Sequence, residues 1–343
     1  MNSLILGVLI TLGQPAPKPP APPALPAIQP ANAKAGSLSN PLPFPPMGLG
    51  YLTAPETLVV VGWENQLILW KTDVWAAATG PVAVPNAGQG PAARITAFAS
   101  AKGMFALAAL EGKIFLYKGS EGKPGTTLEA KKPIRALALD SEGTLLAAGF
   151  EDGSIQVWEA ATGKPKSNWQ AGSDWVTALA FSPDGKILAA GTNDGFVRVH
   201  DVQGKKVVEF LAQAPVAANT PKPPVFQVAA LAFSPDGKSL ACSGGDPGIH
   251  LFQANDGKFI RTLPGHQAPV TSLLFHPTGS LLISTSCDKT VRLWNPAGNL
   301  IKTLEGSNAW VTGGAFNQSF DRLFTTSIDG TVRSWDLADK PKK

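Results

Sequence analysis

Few side chains in this sequence could do chemistry. They are four histidines (His200, His250, His266 and His276), two cysteines (Cys242 and Cys287) and a regularly spaced column of acids. None of the His or Cys residues stands at metal-ligand spacing with another. A nucleophile elbow and a phosphate-cradling Gly-rich loop are both missing. That leaves the acids. Glu64, Glu111, Asp152, Asp194, Asp246, Asp288 and Asp329 each lie six residues before an aromatic-type anchor: Trp70, Tyr117, Trp158, His200, Phe252, Trp294 and Trp335. A column of carboxylates invites a metal-binding reading. Facing sheets, however, lie about 10 Å apart, too far for adjacent acids to share an ion. The expected role is structural: turn acids that accept hydrogen bonds from backbone amides. No metal, cofactor or catalytic group is called for.

The elements that position these acids explain the column. Successive anchors are 47, 41, 42, 52, 42 and 41 residues apart, so one unit is written seven times. A period near 42 residues with about four short strands predicts an all-β, seven-bladed propeller of four-stranded antiparallel blades. The fourth copy reads most easily. Val176–Phe181 alternates as a strand, Ser182 to Gly185 is a Pro/Gly turn, and Ile187–Ala190 is the second strand. Asn193-Asp194-Gly195 turns tightly into a third strand, Phe196–Asp201, and Val207–Leu211 is the fourth. By length, 343 residues would suggest about two domains. The repeat overrides that, because one blade cannot bury both of its faces alone.

Val270 to Gly279 and Ser284 to Asn295 resemble the WD40 repeat, with Gly265-His266 as its GH pair and Trp335-Asp336 as its WD pair. The resemblance runs from about residue 47 to the C-terminus. It implies a hydrogen-bonded tetrad in the sixth blade: His266, Ser284 or Ser286, Asp288 and Trp294. The two serines share a strand face, so the spacing leaves the choice open. Other blades depart from the pattern, with His200 and Phe252 at anchor positions and the GH histidine mostly absent. Those blades are expected to rely on packing and on the turn acid alone.

Ring closure needs a strand from elsewhere, because the chain has only eight residues after Trp335. The offset of Leu300–Glu305 before Trp335, applied to Trp70, lands on residues 35–40, which are expected to complete the last blade. Upstream, residues 14–46 read as a Pro/Ala-rich linker. Leu4–Leu12 is an apolar run too short to span a bilayer, and it suits a signal peptide over residues 1–13. Export is therefore expected, although Met1-Asn2-Ser3 carries no Lys or Arg; a cytoplasmic chain with an apolar tail is the alternative. Cys242 and Cys287 fall on opposite parities in different blades and are expected to be free thiols. The net charge of +4 is spread over turn and rim lysines such as Lys186, Lys205, Lys238 and Lys258. Without an interleaved aromatic stripe it does not indicate nucleic-acid binding.

Function is then to be sought on the face where second-to-third-strand turns and incoming loops emerge, since the resemblance implies partner binding there. Two columns of side chains meet on it. One comprises Trp63, Leu110, Glu151, Asn193, Gly245, Cys287 and Ile328; the other comprises Arg94, Pro133, Trp175, Gln227, Pro269 and Trp310. Trp63, Leu110, Cys287 and Ile328 fall on contiguous blades, joined by Trp310. This apolar arc is the expected binding surface for a protein or peptide, with Trp63, Arg94, Leu110, Trp175, Trp310 and Ile328 as candidate contacts. A small molecule or glycan stacked on the tryptophans is the alternative. Long loops over 80–93 and 212–226 emerge on the same side. A monomeric propeller without a transmembrane span is expected.

Overall fold

The computed structural model describes residues 34–38, 42–53, 56–62, 65–72, 76–77, 82–84, 94–119, 124–215 and 225–337. The N-terminal apolar run, most of the linker, Trp63, Glu64 and the Lys340–Lys343 tail lie outside the described residues. So do residues 85–93 and 216–224 of the two long loops.

Seven separate antiparallel sheets follow one another along the chain. Blade four is built from Val176–Phe181, Ile187–Thr192, Phe196–Asp201 and Lys206–Leu211, ordered from the channel outward. The turns between these strands use the residues that the conformations require, with Gly185 and Gly195 both at positive φ. The fourth strand of blade one is reduced to two short pieces, Ala76–Ala77 and Val82–Ala83, both paired to Gln66–Lys71.

The core lies between blades. One cluster joins Ile114, Leu116 and Leu128 of blade two to Ile134, Leu146 and Trp158 of blade three. Another joins Val197 and Val199 of blade four to Leu240 and Phe252 of blade five. Each blade therefore buries its apolar faces only against its neighbours, and the repeats fold as one ring. All seven anchors are buried. Two of them pack on the outer strand of the preceding blade: Phe252 meets Phe210 with ring centroids 4.5 Å apart, and His200 meets Trp169 at 5.5 Å. At blade four the neighbouring strand thus supplies an indole that packs on the anchor His200. Threonine hydroxyls tie inner strands together across blades, Thr177 donating to Val228 O at 2.7 Å and Thr271 to Val311 O at 2.6 Å.

The ring closes through the N-terminus. Lys34–Leu38 pairs antiparallel with Val332–Asp336, Lys34 opposite Asp336 and Ala35 opposite Trp335, to give the last blade its fourth strand. Its register is the expected one, Ala35 facing the anchor Trp335 as Leu300 faces Trp294; the strand starts one residue before the expected 35–40, and residues 39 and 40 lie outside the described residues. Leu42 N then donates to Gly330 O at 2.7 Å, fastening the following segment to the same blade. Both cysteines are free, Cys242 fully buried and Cys287 at the surface of a turn.

Candidate functional site

Four acids of the column cap turns. Asp152, Asp194, Asp288 and Asp329 each accept the amide two residues ahead, at 3.0, 3.2, 2.9 and 3.0 Å. Among the described residues, no three His, Cys, Asp or Glu side chains gather as a metal site.

Blade six holds the full tetrad. Trp294 Nε1 donates to Ser284 Oγ (2.8 Å), Ser284 bonds His266 Nε2 (2.7 Å), and His266 Nδ1 bonds Asp288 Oδ2 (2.6 Å). One proton arrangement satisfies every member: indole to hydroxyl, hydroxyl to a neutral imidazole, imidazole to carboxylate. Ser284 is the tetrad serine. Ser286 lies two residues further along the same strand and donates to Ala268 O and Pro269 O.

The other blades do not rely on the acid alone, contrary to expectation. In blade four, Arg198 from the third strand pairs with Asp194 at 2.8 Å and with Glu209 at 3.2 Å. It occupies the place of the absent histidine. Gly172 stands there instead, and a Cβ on it would lie 2.9 Å from an Arg198 Nη1. In blade five, His250 bonds Asp246 at 3.0 Å and Thr262 at 2.9 Å. Blade seven keeps the indole-to-hydroxyl bond, Trp335 Nε1 to Thr325 at 2.9 Å. A cation or imidazole on the third strand thus replaces one on the incoming loop, because both positions converge on the same carboxylate.

These buried groups set a pH dependence. Burial pushes His200, His266 and His276 below the usual histidine range. The unfolded chain then binds more protons than the folded one below about pH 6.5. Stability is therefore full above that value and declines as pH falls through the lowered folded values. Asp288 adds a second loss at lower pH. Burial raises its pKa, but hydrogen bonds from Thr290, His266 and Gln267 outweigh that and hold it at about 2. The midpoint of thermal unfolding is expected to be flat from pH 8 to 7, to fall as the pH drops below about 6.5, and to fall further below about 4. A midpoint unchanged between pH 8 and 5 would show that the histidines carry no such linkage.

On the top face, the two columns are joined by backbone hydrogen bonds. Leu110 N donates to Arg94 O, Asn193 N to Trp175 O, Cys287 N to Pro269 O and Ile328 N to Trp310 O, all at 2.9–3.0 Å. Trp310 is 53% exposed, with Ile328 beside it, also exposed. Arg94 is exposed; Leu110 and Cys287 are half-buried. Trp175 is 42% exposed, and the Arg135 guanidinium lies 4.7 Å from its ring centroid. Trp175 and Trp310 occupy equivalent positions in blades four and seven, so they stand on nearly opposite sides of the channel mouth. Below them the seven inner strands enclose a cavity of about 370 Å³, lined mostly by small side chains and carrying one charged residue, Arg135.

Two exposed residues went unread in the sequence. Val225 and Phe226, at the end of the Pro-rich loop into blade five, lie over Gly195 and Gly245, where any side chain would collide with them. An apolar pair closing a polar, Pro-rich run was the available signal.

Seven four-stranded blades, closed by an N-terminal strand and held by turn acids and a His–Ser–Asp–Trp network, define a β-propeller built from sequence repeats. The WD domain, G-beta repeat model matches residues 163–201, 223–253, 257–295 and 298–336, and the anaphase-promoting complex subunit 4 WD40 domain model matches 91–177. The chain belongs to the WD40-repeat family. It is 32% identical over 177 residues to nuclear distribution protein PAC1 of Coccidioides posadasii (strain C735), covering 48% of this chain and 37% of that protein. It is 41% identical over 71 residues to the periodic tryptophan protein 2 homolog of Schizosaccharomyces pombe (strain 972 / ATCC 24843), covering 20% and 8%. The match thus spans a minor part of each relative's own length. Among the described residues, no helix is long and apolar enough to cross a membrane.

Proposed function

We propose that this chain is a non-catalytic scaffold that holds a protein or peptide on the top face of its propeller. One observation carries the reading. Of the eight exposed large apolar residues described, five (Trp175, Val225, Phe226, Trp310 and Ile328) belong to that face. Exposed apolar side chains concentrated on one face of a protein are characteristic of interaction sites, and tryptophan is among the residues most enriched at their energetic centres. Family membership is in keeping with this role, as are the propeller relatives.

Affinity capture from the native organism tests it, with wild type beside a Trp63→Ala/Trp310→Ala variant of unchanged melting behaviour. A defined polypeptide is expected with wild type and is expected to be lost with the variant. Identical captures from both would remove the face from consideration. Quenching of tryptophan fluorescence by soluble sugars, with no polypeptide retained, would favour a glycan ligand. We also propose export, on the apolar run Leu4–Leu12. N-terminal sequencing of the mature protein is expected to begin near Gln14; an intact Met1 would oppose it.

A further inference from the structure

We infer that the blade-four side of the channel mouth takes a cationic side chain, arginine or lysine, from the bound polypeptide, stacked on the exposed surface of Trp175 and paired with Asp174. This rests on the top-face reading above and adds the chemistry of the contact.

Trp175 is exposed yet held from several directions. Arg135 covers part of the ring and is itself fixed by Glu151, with N–O distances of 2.6 and 2.7 Å. Asp174 Oδ1 accepts the Trp175 amide at 2.7 Å, and its Oδ2 accepts Asn193 Nδ2 at 3.1 Å. Asn193 N in turn donates to Trp175 O at 2.9 Å. An aromatic side chain positioned this way loses little conformational freedom when a ligand docks on it.

The surrounding charges decide what docks. Arg135 is matched by Glu151, Lys132 by Asp152 and Arg198 by Asp194. Asp174 accepts two neutral N–H groups, and among the described residues no cation pairs with it. One unmatched carboxylate therefore belongs to the residue that precedes the exposed tryptophan and is bonded to its backbone amide. A cation gains from the ring quadrupole and from the carboxylate together. An anion would be repelled by Asp174, and an apolar group would leave it unused. Arg135 does not oppose a second cation strongly, because Glu151 balances its charge. At the equivalent position of blade seven, Trp310 is flanked by Ile328, which suits an apolar side chain. The two tryptophans would then read a cationic and an apolar residue on opposite sides of the mouth.

The test is selection of random twelve-residue peptides on the immobilised full-length chain, followed by affinity measurement of the enriched peptides. Enriched sequences are expected to share one Arg or Lys. Replacing that residue by glutamine, or Asp174 by Asn in the protein, is expected to weaken binding about five- to tenfold. Raising the salt concentration is expected to shrink the difference. Trp175→Leu should give a similar loss, while Trp310→Ala weakens binding without relaxing the demand for a cation. Peptides that depend on Trp310 but share no cation, and bind Asp174→Asn as well as wild type, would overturn this inference and leave the top-face reading standing. Enrichment of only those peptides that ignore both tryptophans would overturn the top-face reading, and this inference with it.

Discussion

Deleting residues 1–40 is expected to lower the unfolding midpoint by about 10 °C or more and to broaden the transition, whereas deleting residues 1–30 is expected to change neither. The strand Lys34–Leu38 supplies the outer edge of the last blade. Its loss exposes the backbone edge of Val332–Asp336, which is then open to pairing with other chains. It also removes the covalent connection between that strand in blade seven and blade one, leaving the segment from Leu42 onward tied to blade seven by the Leu42 N to Gly330 O hydrogen bond. In a ring whose core lies between blades, one failed interface leaves two blades half-covered. The cost then falls in the diagnostic range above about 4 kcal/mol. At about 2–4 °C per kcal/mol for a chain of this size, that gives the stated shift. Calorimetry of the two truncations decides it: equal midpoints would mean that packing between blades seven and one closes the ring without the strand.

Ser284→Ala is expected to cost about 2–4 kcal/mol, a large effect for the loss of one oxygen. Ser284 Oγ is fully buried and serves both Trp294 Nε1 and His266 Nε2. Its removal leaves two buried polar atoms without partners, each costing about 1–3 kcal/mol, and alanine brings no compensating contact. Thr325→Ala in blade seven removes the partner of one indole only, Trp335 Nε1, and is expected to cost about half as much. Ser286→Ala, on the same strand, is also expected to cost less, because its carbonyl partners lie near the surface loop. Denaturant titration of the three variants ranks them. Equal costs would show that the tetrad adds nothing beyond ordinary buried hydrogen bonds.

Much of this architecture was legible in the sequence because its determinants are local. The acid-to-anchor spacing, the Asp-Gly turns and the alternation of strands such as Val176–Phe181 all operate within a few residues. Repetition turned these weak signals into a strong one. The closing strand was also legible, to within a residue, because the same offset applied at both ends of the ring. Ser284 against Ser286 was not. Both point to one strand face, and only the depth of each in the blade separates a buried tetrad member from a loop tie.

The candidate site divides along the same line. The offsets from the anchors named both top-face columns, including Trp175, Trp310, Leu110 and Ile328. Exposure did not follow from them, since Leu110 is half-buried where Ile328 is open. Nor did the partners. Arg198 over Gly172, Trp169 against His200, and Arg135 on Trp175 join residues 26 to 40 positions apart. By itself the sequence determined the number of blades, their turns and the face on which function is to be sought, because those depend on short-range geometry repeated seven times. The tertiary structure alone decided which side chain fills each vacancy and which tryptophan is clamped, because those outcomes are set by close packing between strands that the sequence keeps far apart.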